Sequence, residues 1–110
     1  MAARYEVSTA ANGKFHFVLK AGNNEVILSS QMYADKSGAM AGCDSVKKNG
    51  TDDAMFERKM SAKDQPYFVL KAGNGQIIGN SEMYTAVAGR DNGIESVKKN
   101  CGADIKDLTA

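Results

Sequence analysis

The chain has 110 residues, with 14 basic and 13 acidic side chains and a formal net charge of +1. That length holds one domain. The near-neutral balance argues against a nucleic-acid surface, which shows a basic excess or a clustered basic face, and no run approaches the ~18–20 apolar residues that span a bilayer.

Tyr5 to Thr9 alternates in strand-forming residues and predicts a first strand. Asn12-Gly13 follows as a hairpin signal. Lys14 to Ala21 predicts a second strand, with Phe15, Phe17, Leu19 and Ala21 on one side and His16, Val18 and Lys20 on the other. Gly22-Asn23-Asn24 is a turn that suits positive φ. Glu25 to Ser30 predicts a third strand, with Val26 and Leu28 on one face and Ile27 on the other. After Met32-Tyr33 the period changes: Ala39, Cys43 and Val46 form one stripe of a helix. Asp35 is its expected N-cap, Lys47-Lys48 suit the negative end of its dipole, and Asn49-Gly50 stops it.

The pattern then starts again. Met55 to Met60 predicts a strand, Ser61 to Asp64 a turn, and Gln65 to Ala72 a long strand that opens on Pro66, the only proline. Gly73-Asn74-Gly75 repeats the positive-φ turn. Arg90, Ile94, Val97 and Cys101 form the second helical stripe, with Thr85 as its expected N-cap. Ala103 to Leu108 predicts a short closing strand.

The restart is a duplication. Phe17-Val18-Leu19-Lys20-Ala21-Gly22-Asn23 returns unchanged 51 residues later as Phe68 to Asn74. At the same shift Tyr5-Glu6 meets Phe56-Glu57, Met32-Tyr33 meets Met83-Tyr84, and Ser45 to Asn49 meets Ser96 to Asn100. Such self-similarity at one fixed period marks a repeat architecture. Half the chain would bury only a marginal core. The expectation is a single domain over 1–110, made of repeats 5–54 and 55–108 that share one core about a pseudo-two-fold axis. The expected state is a monomer of pseudo-dimeric form.

Phe-Val-Leu-Lys-Ala-Gly-Asn, the Ser-x-Met-Tyr segments (Ser30 to Tyr33, Ser81 to Tyr84) and Gly93-Ile-Glu-Ser-Val-Lys-Lys-Asn100 resemble the YegP-like family of small bacterial tandem-repeat proteins. The resemblance runs from about Tyr5 to Asn100. It implies an α+β fold in which two β-β-β-α-β repeats form one mostly antiparallel sheet, exchange their C-terminal strands and pack two helices on one face. It brings no catalytic or ligand residues. The first copy departs from the pattern at Asn24, in place of a turn glycine, and at Cys43, in place of isoleucine.

The chemistry-bearing residues are sparse. His16 is the only histidine and its counterpart is Tyr67, so neither a metal cluster nor a histidine-based triad is legible. Gly73-Asn74-Gly75 precedes a strand, whereas a phosphate cradle opens a helix. Asp52-Asp53 reads as solvated loop charge. Cys43 and Cys101 do not correspond between copies and read as reduced thiols. The N-terminus lacks the apolar core of a signal peptide, so the expected location is the cytoplasm. No catalytic residue, cofactor or metal is expected.

Two helices can cover one face of such a sheet. The other face is expected to carry His16, Val18, Lys20 and Ile27 together with Tyr67, Val69, Lys71 and Ile78. A contiguous exposed apolar patch there would mark a protein partner. The expected function is therefore a non-catalytic binding module. Two alternatives stand beside it. One is single-stranded nucleic acid stacked on Tyr67 and His16 with Lys20 and Lys71 on its backbone. The other is an enzyme with small pockets at Tyr33 and Tyr84, where the plain reading is that the Met-Tyr pairs plug the core.

Overall fold

The computed structural model describes residues 3–109. Seven strands form one sheet: β1 (Arg4–Thr9), β2 (Phe15–Lys20), β3 (Val26–Ser30), β4 (Phe56–Met60), β5 (Pro66–Lys71), β6 (Ile77–Asn80) and β7 (Asp104–Asp107). Two helices, α1 (Lys36–Asn49) and α2 (Val87–Asn100), lie 51 residues apart at both ends. The strand order is β4-β5-β6-β3-β2-β1-β7. Every pairing is antiparallel except β1 with β7.

The two copies join through β3 and β6, where Ser29 faces Asn80 and Ser30 faces Gly79. Ser29 and Asn80 are equivalent positions, so the pseudo-two-fold axis passes through that pair. The last segment of the second copy crosses over: β7 pairs in parallel with β1, from Arg4↔Asp104 to Val7↔Asp107. The equivalent segment of the first copy is a 3₁₀ turn, Asp53–Met55, which runs straight into β4. Covalent continuity uses up that segment, so the sheet has seven strands and β4 is left as an edge.

Both helices lie on one face. Tyr5, Val7, Phe17, Leu19 and Leu28 meet Ala39, Cys43 and Val46, and Phe56, Phe68 and Leu70 meet Ile94 and Val97, all in one cluster. Tyr5 ties the copies together, because its hydroxyl donates to the Cys101 carbonyl at 2.5 Å.

The repeated motifs have architectural reasons. Ser30 Oγ accepts from Phe17 N at 2.8 Å and Ser81 Oγ accepts from Phe68 N at 3.0 Å, so each serine extends the ladder as the chain leaves the sheet. Asn49 and Asn100 donate back to the Ser45 and Ser96 carbonyls at 2.9 and 2.8 Å, satisfying acceptors of the last turn. Asn24 (φ 72°) and Gly75 (φ 83°) hold the equivalent left-handed positions of the two hairpins.

Asp35 caps α1 as expected, accepting from Gly38 N at 2.9 Å. Thr85 does not cap α2. The cap position falls on Ala86, the equivalent of Asp35, and carries no side-chain bond. Among the described residues no helix is long and apolar enough to cross a membrane.

Candidate interaction face

The face away from the helices carries one straight row across all seven strands: Lys106, Glu6, Val18, Ser29, Asn80, Val69 and Glu57. The row is symmetric about Ser29 and Asn80. Val18 is half-buried and Val69 is 4% exposed. The two valines stand three strand spacings apart, about 14 Å, with polar side chains between them. His16 and Tyr67 are equivalent, half-buried and one row further along.

Ile27 and Ile78 are not on this face. Leu19 pairs with Leu28 and Lys20 with Val26, so Ile27 is the extra residue of a bulge. Leu70 pairs with Gly79 and Lys71 with Ile77, which leaves Ile78 in the same position. A bulge breaks the alternation of side chains, and both isoleucines are buried in the core cluster.

The lysines are paired. Glu6 holds Lys20 at 3.1 Å and Arg4 at 2.7 Å. Glu57 holds Lys71, and Lys59 at 3.4 Å. The hydrogen bond from Lys20 leads in pulling the Glu6 carboxyl below its ordinary value, and Lys71 does the same for Glu57. Each end of the face is thus a compact cluster of one carboxylate between two cations. His16 shares a 3.2 Å hydrogen bond with Ser8 Oγ, while its Nδ1 is buried without a partner among the described residues. Among the described residues no His, Cys, Asp and Glu group could hold a metal.

Tyr33 and Tyr84 lie at the other side of the sheet, under the helices. Tyr33 stacks on Phe17 with centroids 6.2 Å apart, and Tyr84 on Phe68 at 6.4 Å. Each ring fits against a helix glycine. A Cβ on Gly42 would stand 2.5 Å from Tyr33 Oη, and one on Gly93 would stand 2.9 Å from Tyr84 Cζ. Burial leads in raising both phenol pKa values, so both hydroxyls stay protonated in neutral solution. A cavity of about 290 Å³ opens beside Tyr33, between α1 and the β5–β6 hairpin, with Gln31, Ser45, Asn74 and Gln76 on its walls.

The relatives agree with this architecture. The family model described as "Domain of unknown function (DUF1508)" matches twice, over residues 10–57 and 61–107. A UPF0339 protein of Acinetobacter baylyi is 52% identical over 110 residues, covering 99% of each chain. The UPF0339 protein YegP of Yersinia pestis is 51% identical over 106 residues, covering 96% of this chain and 95% of its own. The chain belongs to the UPF0339 family, which includes YegP. The solution structure of a UPF0339 protein from Shewanella oneidensis superposes with a TM-score of 0.92 at 52% identity, covering 98% of this chain and 92% of its own. The solution structure of yegP from E. coli, described as a protein of unknown function, also gives 0.92, at 43% identity.

Within this UPF0339 fold, two features of the face and one of the helix side escaped the sequence reading. Ser29 and Asn80 meet only because the copies pair there. Glu6 and Glu57 neutralise the lysines across neighbouring strands, and their recurrence at the 51-residue shift was the available signal. The acidic pair Asp52-Asp53 is engaged rather than merely solvated. Asp52 caps the 3₁₀ turn through a 3.0 Å bond from Ala54 N, and Asp53 bridges Lys98 at 2.8 Å and Arg58 at 3.3 Å.

Proposed function

We propose that this UPF0339 protein is a small, non-catalytic, cytoplasmic binding module that receives a folded protein partner on its open sheet face. One observation carries the reading: both helices lie on the opposite face, and no element of the described chain covers the row from Glu6 through Ser29 and Asn80 to Glu57. Six strands of four to six residues give a face of roughly 24 by 17 Å. That is near 400 Å², below the ~800 Å² per partner of a standard interface, which favours a transient complex. The mixed polar row suits a wet contact with a partner of alternating charge. Two free, buried cysteines suit a reducing compartment.

The pairing of Lys20 with Glu6 and of Lys71 with Glu57 weighs against single-stranded nucleic acid, because both lysines already have counter-charges. The cavity beside Tyr33 favours a second reading, a small-ligand site, since its volume reaches the lower end of ligand pockets.

The test is a charge change at the two half-buried equivalents. His16→Asp with Tyr67→Asp should leave the circular dichroism and sedimentation of the protein unchanged while removing partners captured by the wild type. A folded double variant that keeps every partner overturns the reading. An NMR ligand screen whose shifts cluster at Tyr33, Gln31 and Gln76 would move the assignment to the cavity.

A further inference from the structure

The pseudo-two-fold axis calls for eight strands, and the chain supplies seven. β1 is covered by β7, whereas its equivalent β4 is itself a sheet edge. We infer that the free edge of β4 is a docking site for an extended peptide segment of a partner, taken up in parallel as β7 is taken up by β1.

The edge is presented for pairing. Phe68 turns both backbone groups toward β6, donating to Ser81 Oγ at 3.0 Å and accepting from Ser81 N at 2.9 Å. Arg58 stands directly opposite Phe68. In an antiparallel pair its own N–H and C=O therefore point away from β5, out of the sheet. The equivalent Val7 uses its outward carbonyl to accept from Leu108 N at 2.8 Å. Charged side chains often protect such edges. Here they are drawn off it: Arg58 reaches Asp53 and Asp91 at 3.3 and 3.4 Å, and Glu57 and Lys59 pair with each other along the open face.

The β7 template also gives the chemistry of the occupant. Ile105 packs on the core where it pairs with Tyr5, and Phe56 stands in Tyr5's place. Lys106 faces Glu6, and Glu57 stands in Glu6's place. Asp107 is held at 2.9 Å by Lys36, but Val87, exposed at 45%, stands in Lys36's place, and Arg58, which stands in the place of its strand partner Val7, is already engaged by Asp53 and Asp91. The fitting segment therefore reads apolar, basic, apolar, where β7 reads apolar, basic, acidic. That difference favours a partner's segment over the β7 of a second copy.

The probe is a capped peptide of residues 103–109 carrying Asp107→Val, titrated into the full-length labelled protein. Amide shifts should concentrate at 56–60, and exchange of the Arg58 amide should slow about tenfold or more at saturation. The unaltered 103–109 peptide should bind at least several-fold more weakly, and the valine peptide with Ile105→Pro should not bind. Arg58→Pro should abolish the shifts, since it removes only an outward donor. Arg58→Val, which copies Val7, should tighten binding and keeps the test decisive if the proline variant does not fold. Absence of shifts at millimolar peptide overturns the inference. So do shifts confined to β1 or to the open face, and so does self-association through 56–60 without peptide.

Discussion

Gly50 and Cys101 are equivalent residues that end the two helices, and they end them against each other. A Cβ on Gly50 would stand 2.8 Å from Cys101 Cβ and 2.7 Å from the Val46 carbonyl. The axis has room for one side chain, so the copies differ there by necessity. Gly50 has φ −69°, which any residue adopts, so the obstacle is contact and not backbone strain. Gly50→Ala should cost about 1–3 kcal/mol through overpacking, or roughly 4 °C of Tm per kcal/mol. Cys101→Gly in the same chain should recover part of that loss. Thermal denaturation of the four proteins in the cycle measures the coupling, and additive effects would place the strain elsewhere.

Gly42 is the second close approach. A Cβ there would meet Tyr33 Oη at 2.5 Å and Phe17 Cε2 at 2.7 Å, in the middle of the stacked pair. Gly42→Ala should destabilise by about 1–3 kcal/mol. Tyr33→Phe should be nearly neutral alone, because the phenol oxygen makes no hydrogen bond among the described residues, and should relieve the Gly42→Ala variant. Urea midpoints decide it. Equal cost with and without the hydroxyl would show that the ring of Phe17 sets the limit.

The repeat, its turns and its helical stripes were readable because each depends on neighbours in sequence. Asp35 and Lys47-Lys48 sit where helix-end rules place them. The face was only partly readable. Strict alternation put Ile27 and Ile78 outside, and a one-residue bulge in each copy put them in the core. Nothing local marks a bulge between Leu19 and Lys20, because the register is fixed by the partner strand. The pairing of Ser29 with Asn80 likewise belongs to the union of the copies. The seventh strand was legible as a segment, but the bare edge of β4 follows only from tracing where the chain must go after α1.

That trace makes β7 the most separable strand. Asp107 ties it to α1 through Lys36 at 2.9 Å and accepts locally from Thr109, whose hydroxyl leads in lowering the Asp107 carboxyl from 3.8 to about 2. A carboxylate whose folded pKa is depressed stabilises the fold above its unfolded pKa and loses that contribution as pH falls through the folded value. The contribution of Asp107 should therefore be complete above about pH 5 and fade between pH 4 and pH 2. Asp107→Asn should remove this part of the acid sensitivity. Exchange of the Leu108 amide, bonded to the Val7 carbonyl, reports it directly. A Leu108 amide whose protection is flat over that window would mean that the β1 ladder alone holds the strand.

The two thiols should be chemically silent in the native protein. Cys43 is fully buried and Cys101 is 2% exposed. Burial leads in pushing the Cys43 thiol up to about 12, and it also raises Cys101. The thiolate is the reactive form, and neither position favours it. Labelling by a disulfide reagent near pH 8 should therefore follow opening of the fold, with both thiols reacting together and faster as urea is added. Gly50→Ala, which loosens the helix ends around Cys101, should speed the labelling of that thiol more than that of Cys43. Prompt reaction of Cys101 in the unperturbed protein would show that the junction of the helix ends opens on its own.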